Sequence, residues 1–210
     1  MSDTKQTVRI TVLGPKEAGK TALVFRYMAR LFVGVSTSEN KINQIRSNTS
    51  SSSPAGLDNL YHHCVCLDNI LYDLEILDLA DSKNGPKFER RSDAFIVVYS
   101  VASSSDFNIA KQLCESLQAT YPRKPVLLIG NKMDLPRQVL TNEGQQVGGA
   151  LFAEVSAAHI GSWEVHQAMY RLLRRVSEVT VDPALNTTKC HFVAQSKPFG
   201  RRDSMDTSSA

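Results

Sequence analysis

The sequence predicts a doubly wound α/β domain: a mostly parallel sheet with helices on both faces and one antiparallel edge strand. Three observations lead there. Short, near-continuously apolar runs recur along the chain, as "VRITVLG" (8–14), "AFIVVYSV" (94–101), "PVLLIGN" (125–131) and "LFAEVSA" (151–157). The later runs alternate with amphipathic segments, the pattern of parallel strands buried on both faces by crossover helices. One longer run, "YHHCVCLDNILYDLEILD" (61–78), is split by Asp68-Asn69, a favoured turn pair, and reads as a hairpin.

Taken in order, the first run leads into "TALVFRYMARLF" (21–32), an amphipathic helix. Residues 40–59, "NKINQIRSNTSSSSPAGLDN", are rich in Ser, Asn, Gly and Pro with little apolar content, which predicts an extended flexible loop. In "SSSDFNIAKQLCESLQATY" the apolar residues Phe107, Ala110, Leu113 and Leu117 recur at spacings of three and four behind serines able to cap a helix. The same period runs from Ser162 to Val179 through Val165, Met169, Leu172, Val176 and Val179, with Trp163 and Tyr170 expected in partial burial. Asp182 and Pro183 close that helix, and the chain beyond 180 loses periodicity, so residues 180–210 are expected to be a disordered C-terminal tail.

The bulk numbers limit the function classes. A chain of 210 residues, 42% apolar and 21% charged, suits one globular domain with a full core. The net charge of +3 is small and its basic residues are scattered, which argues against a nucleic-acid partner. No apolar stretch approaches the ~18 residues that span a bilayer, and residues 1–8 do not read as a signal peptide. Four cysteines in a chain of this length make no disulfide framework, so a cytoplasmic address is expected.

The chemistry begins with "GPKEAGKT", which matches G-x-x-x-x-G-K-[ST] and lies between a strand and a helix, where that motif must lie. Gly14, Pro15, Lys16, Glu17, Ala18, Gly19, Lys20 and Thr21 form a loop whose backbone N–H groups and helix N-terminus suit a polyphosphate. Lys20 is placed to neutralise the β- and γ-phosphates and the Thr21 hydroxyl to ligate Mg²⁺. The apolar run "LEILD" ends in Asp78, as a strand does when it delivers a carboxylate to a metal-phosphate site.

A second motif, "GNKMDL" (130–135), selects the base. A carboxylate such as Asp134 accepts from both the ring N1–H and the exocyclic amine of guanine, whereas adenine offers neither donor. Sites built on such bonds discriminate by about 10⁴ or more, because the wrong ligand strands a polar group. Asn131 suits the purine N7/O6 edge, and the stem of Lys132 can lie over the base. "EVSAA" (154–158) then offers Ser156 as an orienter and the Ala157 N–H as a donor to O6.

These elements, in this order, resemble the Ras superfamily of small GTP-binding proteins over residues 7–179, nearest its Ras-like and Ras-related oestrogen-regulated growth inhibitor branch. The resemblance implies a G domain binding GTP and GDP with Mg²⁺, a monomer, and two switch loops that engage protein effectors or regulators. Phe32 matches the family aromatic that packs edge-on against the base. Ser82 stands at the position of the family's water-orienting glutamine and is the catalytic candidate; Asp81 replaces the preceding glycine, and an aspartate there faces a strongly negative ligand.

Glu39 falls where the family has a Mg²⁺-ligating threonine, with Thr37 and Ser38 nearby, and Lys16 and Glu17 replace glycines of the phosphate loop. The resemblance therefore implies a signalling switch with slow GTP hydrolysis. The alternative is a pseudo-GTPase interaction module. A P-loop ATPase or small-molecule kinase is disfavoured by Asp134.

Two weaker patterns carry less. His62, Cys64 and Cys66 alternate along a strand, about 7 Å apart, and do not converge as zinc ligands must. The C-terminus lacks a C-a-a-X box, and the tail's bases are diluted by Asp203 and Asp206, so no stable membrane anchor is expected.

Overall fold

The computed structural model describes residues 6–30, 59–68, 70–79, 89–159 and 163–180. Six strands, β1 (Gln6–Leu13), β2 (Asn59–Leu67), β3 (Ile70–Asp78), β4 (Ala94–Ser100), β5 (Val126–Asn131) and β6 (Leu151–Glu154), form one sheet in the order β2-β3-β1-β4-β5-β6. Four helices accompany them: α1 (Lys20–Arg30), α2 (Ser104–Thr120), α3 (Thr141–Gln145) and α4 (Trp163–Thr180). All pairings are parallel except β2 with β3. The expected edge hairpin is therefore present, and Asp68, at φ 51°, begins its turn.

Sequence texture follows position in the sheet. Every residue of β4 and β5 is buried, because helices cover both faces there. Val8, Ile10, Val12, Ile96, Val98 and Ile129 pack with α1 and α4 on one side. Phe95, Val97, Tyr99 and Leu128 pack with α2 on the other. The β2 strand instead alternates: Tyr61, Val65 and Leu67 face the core, while His62, Cys64 and Cys66 are exposed. A period of two with one wet face is what an antiparallel edge requires.

The helices mostly keep their predicted stripes. Ser103 caps α2, accepting a hydrogen bond from the Asp106 N–H at 3.2 Å. Phe107, Ala110, Cys114 and Leu117 are its buried residues, so Cys114 takes a central place and Leu113 lies beside it, partly buried. Burial raises the Cys114 thiol to about 12. In α4, Val165, Met169, Leu172 and Val176 are buried. Trp163, which starts the helix, is 50% exposed, with its ring stacked on His166 at 6.2 Å and 6.5 Å from that of Tyr170.

Two features of this scaffold position the site. The β1–β3 register sets Val12 opposite Asp78, so the carboxylate that ends β3 lies beside the loop that leaves β1. The β4–β5 register sets Ser100 opposite Asn131, bringing the second motif to the same carboxyl edge of the sheet. Ligands of open α/β sheets bind at that edge.

His63, from β2, is partly buried, its Nε2 has no hydrogen-bond partner among the described residues, and its ring meets Tyr27 edge-on at 5.5 Å. Burial lowers its pKa. The unfolded chain, with an ordinary imidazole near about 6.5, takes up a proton that the folded chain resists, so this contribution to stability is full above that pH and shrinks below it. His63→Phe is expected to flatten the fall in the urea midpoint between pH 7.5 and pH 5.5; an unchanged slope would contradict this account.

Candidate functional site

Gly14 leaves β1 at φ 137°, where a Cβ would come within 2.1 Å of the Val98 carbonyl oxygen. The loop thus starts pressed against the backbone of β4, and only glycine fits. It then turns left-handed at Glu17, φ 67°, and at Gly19, φ 93°, before α1 begins. Leu23 N–H donates to the Gly19 carbonyl at 2.9 Å, closing the first helical turn. The first amides of a helix lack intrahelical acceptors, which is the general property of an anion-binding N-terminus.

Lys20 is nearly buried, at 7% exposed, and its ammonium donates to the carbonyls of Gly14 and Pro15, each at 3.0 Å. Those bonds fold the side chain back over its own loop and fix where its charge sits. The Thr21 hydroxyl donates to Asp78 Oδ2. Two oxygen donors from distant parts of the sequence are thereby adjacent, with Asp78 itself 2% exposed.

The second motif meets the first through one side chain. Asn131 is 2% exposed; its Nδ2 donates to the Ala18 carbonyl at 2.9 Å, and its Oδ1 accepts from the Ala157 N–H at 3.0 Å. Gly19 is required beneath it, because a Cβ there would lie 2.3 Å from Asn131 Nδ2. One amide therefore ties together the phosphate loop, the end of β5 and the loop after β6.

Beyond Asn131 the chain makes a tight turn with Lys132 at φ 64° and a Leu135 N–H bond to the Lys132 carbonyl at 3.0 Å. Asp134 is exposed, and its Oδ1 accepts from the Ser156 hydroxyl at 2.5 Å. That hydroxyl is the main reason its carboxyl lies below the usual range, with its own backbone amide adding to the effect. An aspartate is ionised at neutral pH in any case, and as a carboxylate it can accept from two N–H donors.

Of the sequence-derived site, Gly14 to Thr21, Asp78, Asn131, Lys132, Asp134, Ser156 and Ala157 are gathered at the carboxyl edge of the sheet. Phe32, Ser82, Asp81 and the Thr37–Glu39 segment lie outside the described residues. The Ala157 N–H, expected as a donor to a ligand oxygen, is engaged by Asn131.

A family model for the Ras family matches residues 9–178. The chain belongs to the Ras family. It is a Ras-like small GTPase, a nucleotide-binding and GTP-binding protein. Among similar proteins, the Ras-related and estrogen-regulated growth inhibitor-like protein of Bos taurus is 31% identical over 80% of this chain and 82% of its own length. Ras-like protein family member 12 of Danio rerio is 27% identical over 84% and 68%. The human Ras-related and estrogen-regulated growth inhibitor is 28% identical over 80% and 81%. No helix among the described residues of this Ras-family chain is long and apolar enough to cross a membrane.

One bracing residue escaped sequence reasoning. Arg26 of α1 donates from Nε to the Ala157 carbonyl at 2.8 Å and from its terminal nitrogen to the Ala158 carbonyl at 3.3 Å. It holds the loop after β6 against the helix that follows the phosphate loop. No motif flags it, because its partners are backbone carbonyls 131 and 132 residues away.

Replacing Asn131 by alanine strands the Ala18 carbonyl and the Ala157 N–H in a buried place. Two such losses cost about 2–4 kcal/mol. Urea unfolding of Asn131→Ala is expected to show a destabilisation of that size; a loss below about 0.5 kcal/mol would mean that the amide is no brace.

Proposed function

We propose that this Ras-family chain is a monomeric GTP/GDP switch whose G domain spans residues 7–179 and whose hydrolysis step is slow. The observation that carries this reading is the joining of the two recognition loops by Asn131, with the Asp134 carboxylate fixed by Ser156. A polyphosphate site and a base site at a set separation suit a nucleotide better than either half alone.

Residues Gly14 to Thr21 are assigned to the phosphates, with Lys20 carrying the balancing charge. Asp134 is assigned to the N1–H and exocyclic amine of guanine, Ser156 to orienting that carboxylate, and Asn131, Lys132 and Ala157 to the walls of the base pocket. Phe32 is assigned to the edge of the base. The Thr21 hydroxyl and Asp78 carboxylate are hard oxygen donors brought together by the fold, and that chemistry fits Mg²⁺. They are the residues that would hold it. When bound, the ion supplies neutralisation of charge across the β- and γ-phosphates.

Slow turnover follows from residue chemistry at the hydrolysis positions. Ras itself hydrolyses GTP at only ~10⁻⁴ s⁻¹ unaided, and an activator's arginine supplies about 10³–10⁵ in rate. Ser82 is too short to do what a glutamine does in orienting the attacking water. Lys16 and Glu17, both exposed, add bulk to the loop beside which an arginine would have to insert. Lys20, Thr21, Asn131 and Asp134, assigned to the phosphates and the base, are separate from Ser82, so slow hydrolysis does not require loss of the ligand. Effectors and regulators are assigned to the switch loops, and a cytoplasmic location to the chain as a whole.

The test is a single-turnover assay on the GTP-loaded chain. Phosphate release at or below ~10⁻⁴ s⁻¹, yet above that of free GTP, is expected. Release more than about tenfold faster would contradict a slow switch. Retention of GTP without any release over hours would favour a pseudo-GTPase module.

A further inference from the structure

We propose that Glu17 is a built-in release element of the nucleotide site, giving this chain a high spontaneous rate of GDP release without a separate exchange protein. This role rests on the guanine-nucleotide reading above.

The phosphate loop turns left-handed at Glu17, with φ 67°. The Ala18 N–H donates to the Pro15 carbonyl at 3.4 Å, closing the turn that holds Glu17. Glycine enters that region freely, whereas a residue with a Cβ is crowded by its neighbouring carbonyl. Asparagine and aspartate are eased there by their short polar side chains; glutamate is not. The chain therefore places at the turn of its phosphate loop a residue that suits neither the backbone shape nor the charge of a polyphosphate.

The charge is the part that acts on release. Strain that the loop carries with and without nucleotide cancels from the affinity, but repulsion between a carboxylate and a polyphosphate exists only when the ligand is bound. The Cα of Glu17 belongs to the cradle, so its carboxylate falls within one Debye length, about 8–10 Å, of any phosphate held there, whatever its rotamer. The side chain is exposed and no protein cation is recorded as pairing with it among the described residues. Lys16 beside it is exposed as well and offsets part of the repulsion. Lys20, held against the Gly14 and Pro15 carbonyls, and the start of α1 supply the attraction. The balance weakens the grip without abolishing it.

The experiment loads the full chain with methylanthraniloyl-GDP and Mg²⁺ and follows release into excess unlabelled GDP. Glu17→Gln, which keeps the size and removes the charge, is expected to slow release about tenfold, and Glu17→Gly to slow it at least as much. The ratio of wild-type to Glu17→Gln rates is expected to narrow as salt is raised, because an exposed charge is screened. Equal rates for wild type and Glu17→Gln, within about twofold, would overturn the proposal. So would slowing by Glu17→Gly alone, which would assign the effect to backbone strain, or a ratio indifferent to salt. Should neither wild type nor either variant retain labelled GDP at the loading step, the guanine-nucleotide reading fails first, and that outcome is seen before any release rate is measured.

Discussion

The carboxamide of Asn131 is the contact on which the site depends. It spends its donor on the Ala18 carbonyl and its acceptor on the Ala157 N–H, in a place almost closed to water. Inside a protein such bonds are strong and costly to break, because no solvent stands ready to replace them. The β4–β5 register delivers Asn131 to this point, and Gly19 gives way beneath it. The loop before α1 and the end of β5 are thus held together, although Ala18 and Asn131 are 113 positions apart.

Around that brace the site divides into a part fixed by packing and a part set by charge. The fixed part comprises the loop pressed against Val98, the Thr21–Asp78 contact and the Arg26 clasp on the loop after β6. These depend on backbone and sheet geometry, and the family relationship spans the same residues. The charged part includes Lys16 and Glu17, exposed side chains on the same loop, which turns left-handed at Glu17.

The fold was legible where hydrophobic periodicity was strong. Continuous apolar runs marked β4 and β5 because both faces are buried, and the Asp68-Asn69 pair marked the hairpin because few dipeptides tolerate its turn. The five-residue α3 gave no periodic signal, being shorter than two helical turns; it is set instead by the Glu143 carboxylate accepting from the Leu140 N–H at 2.7 Å. Leu113 and Val179 are less buried than the period suggests, because a period identifies a face but neighbouring elements decide how much of it is covered. For the site, the motifs named the phosphate loop, Asp78, Asn131 and Asp134, since each has a fixed local spacing. Arg26 and the engagement of the Ala157 N–H were hidden, because they depend on contacts between segments that no local spacing encodes. The domain limits, the 40–59 loop and the tail rest on sequence alone, for residues 31–58 and 181–210 lie outside the described residues.

The central claim is that one guanine nucleotide lies between the two loops with Asp134 choosing its base. The most direct measurement is the affinity of wild type and Asp134→Asn for GTP and for xanthosine triphosphate, whose C2 carbonyl accepts a hydrogen bond where guanine's amine donates one. Wild type is expected to prefer GTP and the variant to prefer the xanthine nucleotide, the exchange of donor for acceptor moving the preference by a factor of about 10² or more. An unaltered preference in the variant would contradict the account.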